Sequence, residues 1–418
     1  MFDIGAVVEL LLVALAVALF TKRTQRPYTI ALVIWGLILG LLQLIDPISL
    51  SKELVLTIFL PPLLFEGALH IRAGVLRPRA GLVFGLALGG TLLTALIVGA
   101  AAHLLLGFDL LTGLLLGAMI APTDPISVLA TFRASRVDRE LSTIIESESL
   151  FNDGIAVVLY VILLKAFGGA PLDPAQGLGN FLLVVFGGAV LGLGLGSLTA
   201  RVLEQIDDRL VEVTLTLVVA YGAFLLAEHL HLSGVIAVAV AGLAIGNEGL
   251  LRTPETSRAS IVLFWEIVAF LVNSIVFLLI GFALRLDRLI GDAGSVAIVF
   301  AVLLAGRALI VYGFGALARW RRRDLPWRWQ HAIAWGGLRG AVPIALALGL
   351  PADLAGRDTL LIIVFGVVFL SLLVQGLTMP VLLRRLKLAR TEPAVDEDEA
   401  TAEKSDMSRR QADSERVE

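Results

Sequence analysis

Cysteine is absent from this 418-residue chain. Disulfides, thiolate nucleophiles and cysteine-ligated zinc or iron–sulfur centres are therefore excluded. Charge is scarce too: 17% of the residues are Asp, Glu, Lys or Arg, against roughly 25% in soluble domains. No lysine follows a glycine, so there is no phosphate-binding loop, and no His-Glu-x-x-His pair marks an intramembrane zinc protease. A soluble chain of this length would form about two or three domains. This one lacks the polar residues to cover them. A soluble enzyme, a disordered chain and a nucleic-acid-binding protein are ruled out, and no cofactor is implied.

What is present is apolar: 58% of the residues are hydrophobic and the mean hydropathy is +0.91. A bilayer core takes about 20 apolar residues per helix. Thirteen stretches answer to that, near 4–20, 28–45, 53–69, 80–106, 110–131, 141–166, 178–202, 210–230, 232–249, 259–284, 292–318, 331–350 and 358–383. The runs are continuous rather than alternating, so helices are expected and a barrel is not. Within 210–249, His229, His231, Ser233 and Gly234 argue for a turn. Asp3 and Glu9 and the lack of a basic leader argue against reading the first stretch as a signal peptide.

Loops after odd-numbered stretches carry 22 Lys and Arg; those after even-numbered stretches carry 5. The positive-inside rule then expects the N-terminus outside and the C-terminus in the cytoplasm of a cell (inner) membrane protein. Arg319-Trp320-Arg321-Arg322-Arg323 reads as a topology anchor, with a lipid- or ligand-binding patch as the alternative. Residues 391–418 hold 10 acids and 4 bases, a net of −6, and read as a disordered cytoplasmic tail beyond a membrane domain over 1–390. The five histidines (His70, His103, His229, His231, His331) fall near stretch ends and read as interfacial.

Three places put charge inside apolar spans, where it is expensive and usually functional or paired. In the fifth stretch, Pro122 and Pro125 flank Thr123-Asp124. Each proline removes a backbone donor and disfavours helix before it, so the helix should unwind there. In the sixth, Glu148 and Asn152 share one helix face and Ser149 and Asp153 the next. Hard oxygen ligands suit a hard cation such as sodium, and Asp153 is the natural carrier of cation and proton. Third, Arg307 and Arg339 lie deep in the eleventh and twelfth stretches. Arginine stays charged, so each needs a buried acid, and Glu148 is the leading candidate. The twelfth stretch is interrupted by Gly336, Gly337, Gly340 and Pro343.

The two interrupted stretches are seven apart, and an odd shift reverses orientation. Stretches 1–6 and 8–13 then form two inverted six-helix halves with broken, crossing helices 5 and 12. Interrupted helices at matching places in inverted halves mark a secondary transporter's site. The expected fold is therefore an all-α polytopic membrane protein of thirteen transmembrane helices.

Ala121-Pro122-Thr123-Asp124-Pro125, Glu148-Ser149-Leu150-Phe151-Asn152-Asp153-Gly154 and Gly337-Leu338-Arg339-Gly340-Ala341-Val342 together resemble the monovalent cation/proton antiporters, in the NhaP-type branch that includes animal sodium/proton exchangers. The resemblance implies a homodimer in membrane lipid. It implies a core domain (about 80–166 and 292–383), a dimerisation domain (about 4–69 and 178–284) and elevator-like alternating access. It implies that Asp153 binds sodium or a proton, with Ser149 and Thr123 as further sodium ligands. Asn152 and an arginine would hold Glu148; Arg307 is favoured for that pair, with a structural role for Arg339, and Asp124 would balance helix-end charge. Asparagine at 152, rather than aspartate, implies the electroneutral branch: one sodium (or lithium) for one proton, with no enzyme activity and no nucleic-acid partner. Potassium/proton exchange, a cation channel or a non-transporting scaffold are the alternatives.

Overall fold

The computed structural model describes residues 4–24, 27–42, 53–167, 174–320 and 325–389. The cluster at 321–323 and the acidic tail lie outside the described residues. Every regular element among the described residues is helical. The exterior is apolar, with Leu104, Val190 and Leu309 each about two-thirds exposed or more, which suits a surface facing lipid rather than water.

In chain order the helices are α1 (Ile4–Thr24), α2 (Tyr28–Leu42), α3 (Leu54–His70), α4 (Ala73–Leu106), α5 (Leu110–Ile120), α6 (Ile126–Ala134), α7 (Arg139–Phe167), α8 (Pro174–Leu203), α9 (Arg209–His229), α10 (Gly234–Arg252), α11 (Glu255–Phe282), α12 (Leu286–Gly291), α13 (Ala293–Trp320), α14 (Trp327–Trp335), α15 (Ala341–Leu348) and α16 (Arg357–Arg385). Among the described residues, eight are long and apolar enough to cross a membrane by length and composition: α4, α7, α8, α9, α10, α11, α13 and α16. The chain is thus a polytopic α-helical membrane protein.

Local chemistry sets the boundaries. Asp109 accepts the Thr112 amide at 3.0 Å and starts α5. Asp208 accepts the Leu210 amide at 2.9 Å and starts α9. Ser233 accepts the Ile236 amide at 3.3 Å and starts α10, after His231 turns the chain at φ 57°. Each oxygen satisfies an N–H that the first turn leaves free.

The helices pack into two groups. In one, α4 lies against α5, α7 and α13, while α5 also meets α15 and α16. In the other, α2 lies against α11, and α10 against α3, α8 and α9. Lipid supplies no hydrophobic drive between helices, so close backbone approach matters. A Cβ on Gly36 would stand 2.1 Å from the Leu278 carbonyl oxygen, and one on Gly281 would stand 2.0 Å from that of Val33. Only glycine permits that α2–α11 contact. The groups meet where α7 touches α3, α8 and α10, and where α15 touches α3 and α11.

Candidate ion-binding site

Two helices stop and restart inside the first group. Residues 121–125 separate α5 from α6, and residues 336–340 separate α14 from α15. Proline accounts for the first break, where Pro125 is the residue before α6. Pro343 does not cause the second. It is the third residue of α15, where a missing N–H leaves no intrahelical bond unmade. The glycines at 336, 337 and 340 form that break.

The breaks cross and bond to each other. The Asp124 amide donates to the Leu338 carbonyl at 2.7 Å. Arg339 donates from one guanidinium nitrogen to the Ala121 and Pro122 carbonyls at 3.0 and 3.2 Å. A Cβ on Gly340 would sit 2.5 Å from the Asp124 Cβ, so the two segments approach as closely as glycine allows.

Charge is placed by helix polarity. Helix C-termini carry partial negative charge and N-termini partial positive. Arg339 covers the carbonyls at the end of α5, and Arg307 donates to the Ile333 carbonyl near the end of α14 at 3.3 Å. Asp124 accepts from the Ile126 amide at 3.2 Å and the Ser127 hydroxyl at 3.4 Å, at the start of α6. It lies against Gly340, the residue before α15.

Glu148 pairs with Arg307 through two bonds of 2.7 Å, both side chains being buried. Asn152 donates to Glu148 at 3.3 Å and to the Thr123 hydroxyl at 2.7 Å, and accepts the Thr123 amide at 3.1 Å. Both of its amide protons and its carbonyl are used, which fixes its orientation. The Ser149 hydroxyl donates to the Thr123 carbonyl at 2.8 Å and lies 2.5 Å from the Thr123 hydroxyl. The first break is thereby tied to α7 on its backbone and side-chain atoms alike.

Asp153 differs from its neighbours. It is buried, and its Oδ1 finds no hydrogen-bond partner among the described residues. An unpartnered buried carboxylate oxygen is costly and calls for explanation. Asp153 also lines a cavity of about 430 Å³. One wall comes from α6, α7 and α15 with the first break, including Thr123, Asp124 and Pro343; the other comes from α2, α3 and α11, including Thr29, Leu64 and Phe277. The cavity thus lies between the two helix groups.

The structure brings together all eight residues that the sequence singled out: Thr123, Asp124, Glu148, Ser149, Asn152, Asp153, Arg307 and Arg339. It also adds several residues that the sequence does not single out as site residues. Glu66, Arg133, Glu146 and Glu266 line the cavity, and His70 lies 3.3 Å from Glu66 and 3.7 Å from Glu266. Thr29 of α2 meets Ser127 of α6 at 2.7 Å across the two groups. The four-residue spacing of Glu66 and His70, which puts them on one helix face, is the sequence signal that could have found them.

Comparison with known proteins adds independent findings. The family model described as sodium/hydrogen exchanger, transmembrane, matches residues 10–385. The chain is 38% identical over 397 residues to the Na(+)/H(+) antiporter NhaH of Halobacillus aidingensis, a match spanning 91% of this chain and 97% of that protein. It is 41% identical over 376 residues to the Na(+)/H(+) antiporter ApNhaP of Aphanothece halophytica, spanning 87% and 70%. Among solved structures, the sodium proton antiporter MjNhaP1 of Methanocaldococcus jannaschii shares the fold, with a TM-score of 0.76 at 24% identity over 93% of this chain and 99% of that one.

Proposed function

This chain belongs to the sodium/hydrogen exchanger family, and we propose that it exchanges sodium for protons by alternating access, with Asp153 as the shared carrier of both ions. It is a sodium/proton antiporter and not an enzyme. The observation that carries the role of Asp153 is its buried, unpartnered carboxylate oxygen beside the cavity. Sodium (or lithium) binds there with help from the Ser149 and Thr123 oxygens. Protonation offers the alternative way to neutralise the same group, and no cofactor takes part. Asn152 and the Glu148–Arg307 pair hold the first break against α7. Asp124 and Arg339 balance the helix ends and keep their charge through the cycle.

On this reading the chain crosses the inner cell membrane thirteen times, as two inverted six-helix halves, with the N-terminus outside and the C-terminus in the cytoplasm. The group built on α4–α7 and α13–α16 is the moving core. The group built on α1–α3 and α8–α11 is the static, dimer-forming part of a homodimer. Packing within each group and the cavity between them support that division. Glu66, Arg133 and Glu146 lie toward the Lys- and Arg-rich loop side, so the cavity opens to the cytoplasm and the conformation is inward-facing. The relatives' names favour sodium over potassium.

Proton flux into proteoliposomes, with sodium, lithium and potassium supplied in turn, tests this. A pH change that appears only with a sodium or lithium gradient is expected. Uncoupled current, or flux driven by potassium alone, would overturn it.

A further inference from the structure

The second break is held by two side chains that play no part in the ion chemistry above. Ser371 immediately precedes the wide turn of α16, Leu372–Gly376, and Gln375 lies within it; both are fully buried. The Arg339 amide donates to the Ser371 hydroxyl at 2.9 Å. That hydroxyl donates to the Gln375 carbonyl at 2.9 Å, and the Gln375 amide donates to the Trp335 carbonyl at 2.9 Å. Trp335 ends α14, and Arg339 lies two residues before α15. The chain of three bonds therefore spans the whole break and satisfies a freed backbone group at each end.

The first break is held in a matching way. Beyond the short α6, the next helix, α7, grips it through Ser149 and Asn152. Beyond the short α15, the corresponding helix after the second break is α16. Ser371 and Gln375 are four residues apart, as Ser149 and Asp153 are. Where the first half has the free carboxylate, the second has an amide with both ends bonded.

We propose that Ser371 and Gln375 are positioning residues of the ion site. They hold the second break so that Arg339 and Gly340 meet the first break beside Asp153. The amide at 375 fills the place of a carboxylate without adding a second exchanging charge. This rests on the reading of Asp153 as the carrier.

The test uses the full chain in proteoliposomes, with apparent sodium KM measured across pH for Gln375→Leu, Gln375→Glu and Ser371→Ala. Gln375→Leu leaves the Trp335 carbonyl without its donor and should raise KM at every pH, by about fivefold to tenfold, the scale of one or two buried hydrogen bonds lost. Ser371→Ala should raise it less. In Gln375→Glu a protonated carboxyl can still donate to Trp335, and an ionised one cannot. Its KM should match the wild type at low pH and exceed it progressively as pH rises. Wild-type KM at every pH in all three, with only thermal stability changed, would overturn the proposal. If Gln375→Leu does not fold, a pH-independent KM ratio for Gln375→Glu overturns it by itself. Asp153→Asn separates the two readings: exchange surviving in that variant sinks the carrier assignment, whereas an inactive Asp153→Asn beside unaffected Gln375 variants sinks only this one.

Discussion

Glu148 gives both carboxylate oxygens to Arg307 at 2.7 Å and accepts a third contact from Asn152, whereas Asp153, five residues further along α7, keeps an oxygen without a partner. The same functional group is satisfied in one place and available in the other. The consequences of neutralising each should therefore differ in kind. Glu148→Gln leaves a buried arginine without its counter-charge, and removing one partner of such a pair typically costs about 3–5 kcal/mol. Low yield and a depressed melting temperature in detergent are expected, with transport in the surviving fraction. A variant as stable as the wild type and fully inactive would move Glu148 from the scaffold into the ion site. Asp153→Asn removes no partner, so the protein should fold as before. An amide cannot alternate between proton and cation, and sodium-driven proton flux should fall to background. Flux well above background with the protein intact would reassign the carrier.

The broken helices carry the site, and they show how far a sequence can be read. Pro122 and Pro125 announce the first break because proline lacks an N–H and restricts the residue before it. The second break is announced by glycine only, and Pro343 misleads, since proline is tolerated in a first turn. The acids of α7 were legible from spacing alone, because period 3.6 places Glu148 with Asn152 on one face. What no local pattern contains is the meeting of segments 217 or 218 residues apart, as in the bonds from Arg339 to Pro122 and Ala121. Ser371 and Gln375 were legible only as polar residues in an apolar run, Glu66 was hidden by lying near a span end, and Glu266, well inside α11, was one more charge in an apolar span with no neighbouring motif to mark it. The crossing itself makes a prediction. Gly340→Ala would place a methyl group 2.5 Å from the Asp124 Cβ, against the base of a side chain that cannot swing aside. Overpacking of this kind costs about 1–3 kcal/mol, and here it pushes the N-terminus of α15 away from Asp124. Exchange should fall sharply while the elution volume on size-exclusion chromatography stays that of the wild type. Wild-type exchange in Gly340→Ala would mean that the breaks need not touch for the site to work.

At the scale of the molecule, the proposed alternating access makes the cavity between the helix groups and the Thr29–Ser127 contact across them features of one of its two states. The other state must open the opposite side and close this one. A core carrying an uncompensated charge would cross an apolar barrier only at high cost. On the proposed function, sodium or a proton neutralises Asp153 equally, so a loaded core would cross in both directions and an empty one would not. The fixed charges in the core leave this balance untouched: Glu148 against Arg307, and Asp124 and Arg339 against opposite helix ends. Each cycle then moves no net charge. One elementary charge moved across 100 mV is worth about 2.3 kcal/mol, so an imposed membrane potential should leave the exchange rate unchanged, where an electrogenic cycle would respond strongly. Because both ions compete for one carboxylate, apparent sodium affinity should weaken as pH falls. Asp124 is the group that decides the outcome. A second carboxylate titrating during the cycle would add a proton to the count. A steady transport current on a supported membrane, or proton uptake driven by potential in sealed vesicles, would show that Asp124 exchanges as well, and Asp124→Asn would then have to abolish that current while sparing electroneutral flux.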